Sequence, residues 1–252
     1  MHAERSLLKH LHCAYLFIMV EIIDFIMIKK DKITMKQLPS DKYNIAWFKL
    51  AEFVARGEKE RALGIYRLLI HSFNDKALAA QLAGDLFLAF NDRPEAHIRY
   101  CHAAELYVLD GRLRQAAAVF EHVIALDPAR HEYVRNVFRL YIQIPDVSRA
   151  EAYLELIMKE MLRTNSYEEH MSFIEQCVAT QQALASQIYA KMALLCITHH
   201  APERPTLLSI TKAIHLLAHH EHTQELNNFL HALETLHISW YNQAYALLVE
   251  AS

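Results

Sequence analysis

Three histidines in the last quarter of the chain have the spacing of metal ligands. His215, His219 and His222 are separated by four and then three residues, so on a helix they lie along one face. Imidazoles four residues apart can bind Zn²⁺ or Ni²⁺. However, the chain has 17 histidines, no HEXXH motif and no second segment that supplies an obvious fourth ligand. We therefore predict no metal site, and we interpret these three weak candidates as part of a histidine-rich, solvated helix.

Residue patterns that enzymes use for covalent or phosphate chemistry are not recognisable in the sequence. Only four glycines are present, so there is no glycine-rich phosphate loop, and the GxSxG motif is missing. Carboxylate pairs such as Glu151 and Glu155 are four residues apart, which is routine on the solvated face of a helix. We therefore expect a protein that is not an enzyme, with no catalytic residues and no cofactor.

Two arginines form the basic constellation that is most suited to binding. Arg135 and Arg139 are four residues apart, on one face of a predicted helix. Such a pair is a candidate contact for a protein partner. The alternative is a solvated face with intrahelical partners such as Glu132. Because the net charge is −3, no global basic field favours nucleic acid. We expect a protein or peptide partner and no nucleic acid.

The composition indicates which elements position these residues. Among 252 residues there are 4 Gly and 6 Pro, whereas average usage is about 12% for the two together. This shortage argues against sandwiches, barrels and Rossmann folds, which need glycine in their turns and phosphate loops. Hydrophobic residues make up 53% and charged residues 22%, as in folded proteins.

The cysteines indicate the compartment. Cys13, Cys101, Cys177 and Cys196 lie far apart and include no CxxC pair. This is neither a disulfide framework nor the spacing of a zinc finger. We interpret them as reduced core thiols and predict a cytoplasmic protein.

Apolar residues recur with a helical period from Asp41 onward. The segment from Arg112 to Leu126 is the clearest example, because its apolar residues form one stripe on a helix. Gly111 precedes it and Asp127-Pro128 ends it. We predict about twelve such helices joined by short turns, which makes neighbouring helices antiparallel.

The helices show a 34-residue repeat. In a unit that begins at His97, small residues occupy positions 8 and 20 and aromatic residues positions 11 and 24; these are Ala104, Ala116, Tyr107 and Phe120. The unit from Ala77 has Gly84, Phe87, Ala96 and Tyr100 at the same positions, although its frame overlaps the unit from His97 by 14 residues. Units from His131 and around Trp47 follow the pattern in part. Small residues suit a close helix crossing, and large residues fill the space between hairpins.

This pattern resembles the tetratricopeptide (TPR) repeat over residues 41–164 and fades after Asn165. The resemblance implies an all-α, right-handed solenoid of antiparallel helix hairpins. It also implies that positions 2, 5, 9 and 12 of each first helix face a concave groove, which includes Ile142 at position 12 of the unit from His131. The resulting groove candidates are Gln81, Asp85, Glu105, Glu132, Arg135 and Arg139. Family members that grip a C-terminal carboxylate use Lys and Asn at set positions, where this chain has Phe48 and Glu52.

Residues 11–28 are the most apolar stretch of the chain. Glu21 and Asp24 interrupt it, so the free energy of membrane insertion is marginal. The alternatives are an amphipathic helix packed on the body, a membrane anchor, or a true start codon further downstream, at Met27 or Met35. We divide the chain into this segment and a linker (1–40), TPR-like repeats (41–164), and degenerate helical repeats with a C-terminal cap (165–252).

From this organisation we predict a non-catalytic scaffold for protein–protein interaction. The concave face of stacked hairpins would bind a peptide or a helix of a partner. The alternative is a membrane-associated assembly factor anchored by residues 11–28.

Overall fold

The computed structural model describes residues 40–251, except residues 72, 129, 180 and 220–222. Within this part of the chain there are twelve α-helices and no strand. The helices are α1 (Ser40–Ala55), α2 (Lys59–Ile70), α3 (Lys76–Ala89), α4 (Arg93–Leu109), α5 (Leu113–Leu126), α6 (Glu132–Gln143), α7 (Val147–Thr164), α8 (Tyr167–Val178), α9 (Gln182–Thr198), α10 (Glu203–His219), α11 (Thr223–Leu236) and α12 (Ile238–Ala251).

The fold class is therefore all-α, as predicted, and the contacts between successive helices are compatible with a solenoid of hairpins. Gly111 and Asp127-Pro128, which were predicted to bound a helix, lie between helices on either side of α5. Gly57 and Gly111 adopt positive φ angles of 72° and 71°, which glycine reaches without a steric penalty. The side chains of Asp92 and Asp146 accept hydrogen bonds from the backbone N–H groups of the first turns of α4 and α7.

The chain divides into two compact units at the Gly111–Arg112 boundary. In the first unit, α1 pairs with α2 and α3 pairs with α4. One cluster of its buried core residues comprises Trp47, Leu50, Ala62, Leu63, Leu69 and Leu86. The α3–α4 crossing is close, because a Cβ atom placed on Gly84 would lie 2.7 Å from ring carbons of Tyr100.

In the second unit, α6 packs against both α5 and α7. Further along, α9 contacts α7, α10 and α11, and α12 packs on α10 and α11. The predicted core residues of this unit, Ala116 and Phe120, are buried, and the Phe120 ring is stacked on Tyr133. Leu154 and Ile157 at later repeat positions are buried too. The proposed domain boundary after Thr164 falls in the turn before α8 and stays a prediction.

The structure bears only in part on the predictions for the membrane anchor and the cysteines. Among the described residues, no helix combines the length and apolar character that a bilayer span requires. Residues 11–28 lie outside the described residues, so the anchor hypothesis stays a prediction. Cys177 and Cys196 are buried thiols, as expected, whereas Cys101 is only half-buried. Burial raises the pKa of Cys196 to about 11.

Candidate interaction site

The second unit contains a cavity of about 530 Å³ between α6, α7 and α8. Three of the six predicted groove residues, Glu132, Arg135 and Arg139, line it from α6. The apolar part of the wall comes from Leu156 and Ile157 on α7 and from Phe173 on α8. The remaining lining residues are His131, Val134, Asn136, Glu160, Thr164, Ser166, Glu169 and His170.

Arg135 holds α6 to α8 at one side of this cavity. Its Nη1 lies 2.8 Å from Oε1 of Glu169, and its guanidinium carbon lies 5.3 Å from the centre of the Phe173 ring. The ion pair also lowers the pKa of the Glu169 carboxyl group. The repeat pattern predicts an exposed Arg135, with an intrahelical partner such as Glu132 as the alternative. In the structure the side chain is only 30% exposed, and its partner belongs to another helix.

His170 is a buried polar residue in the cavity wall, with 3% of its surface exposed. Its Nδ1 lies 2.8 Å from the carbonyl oxygen of Ser166, and its Nε2 lies 3.2 Å from Nη2 of Arg135. A carbonyl oxygen only accepts and a guanidinium only donates. We therefore assign a proton to Nδ1, which donates to Ser166, while Nε2 accepts from Arg135.

Arg139 lies one helical turn beyond Arg135 and is exposed. Its guanidinium carbon is 5.4 Å from the centre of the same Phe173 ring, a cation–π contact that orients the side chain. It also faces the thiol of Cys177. Burial raises the pKa of this thiol above its ordinary value, and Arg139 offsets part of the rise. Phe173 itself is buried. Two guanidinium groups thus share one aromatic ring at the wall of the cavity.

The carboxylates that line the cavity have cationic partners. Glu160 accepts two hydrogen bonds from Arg163, at 2.7 and 2.6 Å, and this contact lowers its pKa. Nε2 of His131 is 3.6 Å from the same carboxylate. Glu132 lies 4.0 Å from Nη1 of Arg130, and Glu169 is paired with Arg135.

The other predicted groove residues belong to the first unit, and two of them have structural partners. The Tyr107 hydroxyl donates to Oε1 of Gln81 at 2.9 Å, and the Tyr100 hydroxyl donates to Oδ1 of Asp85 at 2.5 Å. Both bonds join α3 to α4. Glu105 is exposed on α4. Gln81 and Asp85 are therefore contacts within a hairpin in this structure.

One residue that the repeat pattern assigned to the groove is buried instead. Ile142, at position 12 of the unit from His131, has no exposed surface. It lies in the last turn of α6, among residues that are themselves buried, such as Leu140 and Tyr141. The assignment of Ile142 to an open groove was therefore wrong.

Sequence reasoning missed the residues that α7 and α8 contribute, above all Glu169, His170 and Phe173. One signal was available. Glu169 follows Arg135 by 34 residues, which is one repeat length, so it occupies the same position in the next unit. The repeat signal fades after Asn165, so the pattern assigns no groove position to α8.

The histidine candidates for a metal site are described only in part. His215 is exposed on α10, whereas the side chain of His219 and the whole of His222 lie outside the described residues. In the part of the chain that the structure describes, no group of three or more His, Cys, Asp or Glu side chains is placed to hold a metal ion.

No protein-family model and no curated protein sequence matches this chain. The candidate site therefore depends on the geometry of α6, α7 and α8.

Proposed function

We propose that this protein is a non-catalytic interaction scaffold that binds a peptide or a helical segment of a partner protein in the cavity between α6, α7 and α8. The observation that carries this proposal is the cavity itself, in which Arg139 is held over Phe173 beside an apolar wall. We further propose that the helix hairpins are TPR-like repeats and that the protein works in the cytoplasm.

The size and lining of the cavity support a binding role. Its volume of about 530 Å³ lies within the 300–1,000 Å³ that is usual for binding sites, which combine apolar walls with a few placed polar groups. Leu156 is 41% exposed, so an apolar side chain that the described part of the chain leaves uncovered borders the charged groups. Aromatic residues and arginine beside such a surface are the residue types that are enriched at the centres of protein interfaces.

A photo-crosslinking experiment in a lysate of the source organism would test the proposal. A photoreactive phenylalanine analogue replaces Leu156 in the cavity and, in a matched control, replaces Leu207 on α10. Both leucines are similarly exposed, 41% and 37%, so they differ chiefly in location. We expect a discrete crosslinked protein from position 156 that is absent from position 207.

Repeating the crosslinking from position 156 in a chain that also carries Arg139→Glu tests whether the partner contacts Arg139. Arg114→Glu on α5 is the control, since it makes the same charge change at another exposed arginine. Loss of the crosslinked protein with Arg139→Glu alone supports the proposal. If positions 156 and 207 capture the same proteins, or if both charge variants retain them equally, the cavity is not the binding site.

The alternative function, a membrane-associated assembly factor, depends on residues 11–28. No described residue favours a membrane-associated function, so this alternative stays a prediction. Sedimentation of the full chain with lipid vesicles, compared with a chain that begins at Met35, tests it directly.

A further inference from the structure

We propose that the cavity recognises the carboxylate of an internal Asp or Glu side chain in the partner, and that an aliphatic residue next to this side chain packs on Leu156. This inference rests on the proposed function and specifies the chemistry of the partner. The receptor for the carboxylate is Arg139.

The ion pairs around the cavity are the reason for proposing Arg139 as the receptor of a carboxylate. Glu169 is matched by Arg135, Glu160 by Arg163, and Glu132 lies near Arg130. His170 is held between the carbonyl oxygen of Ser166 and the guanidinium of Arg135. Arg139 contacts Phe173 and Cys177 and, among the described residues, forms no ion pair with a carboxylate. An anionic group of the partner would give this guanidinium an ion-pair partner.

The surroundings of Arg139 make this charge effective in binding. The Phe173 ring orients the guanidinium, so less conformational entropy is lost when a carboxylate binds. The cavity wall restricts water on one side, which strengthens an ion pair relative to one on an open surface. Arg135 cannot serve the same role as readily, because Glu169 and His170 already hold its guanidinium.

The apolar wall adds a second requirement for the partner. Leu156 and Ile157 line the cavity from α7, and Leu156 is partly exposed in the unbound protein. Covering such a side chain with an aliphatic group contributes about 25 cal/mol per Å² of apolar surface removed from water. An acidic residue beside Leu, Ile or Val would satisfy both parts of the site.

A selection from a random peptide library tests the inference. The peptides are displayed with their C-terminal ends fused to a phage coat protein, so that a free terminal carboxylate is not available. The full chain is the bait, in its wild-type form and as Arg139→Glu. We expect Asp or Glu beside an aliphatic residue to be enriched with the wild type and Lys or Arg at that position to be enriched with Arg139→Glu.

Affinities of one selected peptide, synthesised with an amidated C-terminus, then make the test quantitative. By fluorescence anisotropy we expect Kd to rise about tenfold or more for Arg139→Glu, less for Arg139→Gln, and not at all for Arg114→Glu. Replacing the acidic residue of the peptide by its amide should weaken binding to the wild type and leave binding to Arg139→Gln nearly unchanged. Circular dichroism confirms that each variant is folded.

The possible failures are distinguishable. If peptides are enriched and bind in the cavity without an acidic residue, the carboxylate inference is wrong and the proposed function survives. If the acidic peptides bind wild type and Arg139→Glu equally, Arg139 is not the receptor. If no peptide is enriched by the wild type, or if the crosslink from position 156 does not reach the peptide, both proposals are overturned.

Discussion

The α3–α4 hairpin and the α6–α8 cavity differ in how the neighbouring helix contacts their polar residues. In the hairpin, Gln81 and Asp85 accept hydrogen bonds from two tyrosines of the neighbouring helix. At the cavity, Arg135 is similarly paired with α8, whereas Arg139 has no carboxylate partner among the described residues. The comparison shows that a polar residue at a predicted groove position can already be paired with the adjacent helix.

The largest effect should come from removing Tyr100, because its buried ring fills the α3–α4 crossing. We expect Tyr100→Ala to lower the free energy of unfolding by about 3–5 kcal/mol, as for other large buried aromatic residues. Tyr100→Phe keeps the ring and removes the bond to Asp85, so its loss should be smaller. Equilibrium unfolding in urea measures both variants. Equal losses would show that Asp85 and not the ring holds the hairpin together.

Two glycine variants test the close crossing in the same hairpin. A Cβ atom on Gly84 would lie 2.7 Å from the Tyr100 ring, whereas one on Gly64 in α2 would meet nothing within 4 Å. We expect Gly84→Ala to be destabilising, because an overpacking cost of about 1–3 kcal/mol exceeds the gain in helix propensity of about 1 kcal/mol. Gly64→Ala should stabilise the protein. Thermal melting of both variants measures the sign, and a stabilised Gly84→Ala would show that the two helices can move apart at little cost.

At the cavity, the two arginines should differ in their effect on stability. Arg135→Glu places a second carboxylate beside Glu169 and leaves Nε2 of the buried His170 without its donor, which costs about 1–3 kcal/mol for an unsatisfied buried group. Arg139→Glu, at an exposed position, should change stability by no more than about 0.5 kcal/mol. Denaturant titration distinguishes the two. Equal destabilisation by both substitutions would contradict the separate roles that we assign to them.

The smallest effect should be a pH dependence from the Arg135–Glu169 pair. Arg135 lowers the pKa of Glu169 from its ordinary value of 4.5, so the stabilisation is present above that value and is lost as pH falls through the lowered folded pKa. We expect the melting temperature of wild type to fall more between about pH 6 and about pH 3 than that of Glu169→Gln. The analogous variant in the first unit is Asp92→Asn, since Lys59 lowers the pKa of Asp92. Parallel pH curves for wild type and Glu169→Gln would show that the pair adds nothing.

Much of the fold was predictable because helix periodicity and turn residues are local. The apolar stripe of residues 112–126 became α5, and Gly57 and Gly111 lie in turns with the left-handed backbone that glycine favours. The small residues assigned to helix crossings are buried, among them Ala96 and Ala116. Local pattern and tertiary packing agree at these positions because a crossing helix has little room for anything larger than alanine.

The candidate site was predictable only on the helix where the repeat signal is clear. Three of its residues were predicted from α6, and the residues from α7 and α8 were not. Phe173 was missed because an aromatic residue at a helical position usually belongs to a core, and nothing in the chain marks the one that two arginines share. Ile142 was assigned to the groove, but it is buried.

The amino-acid sequence alone therefore determined the helices, their turns and the small residues at their crossings, since these depend on residues within one or two turns of each other. It also placed Arg135 and Arg139 on one helix face. Only the tertiary structure decided that Arg135 is tied to Glu169 and His170 while Arg139 faces the cavity. The physical reason is that the charge balance of a side chain depends on partners from other helices, 34 or more residues away for Arg135, and no local pattern encodes them.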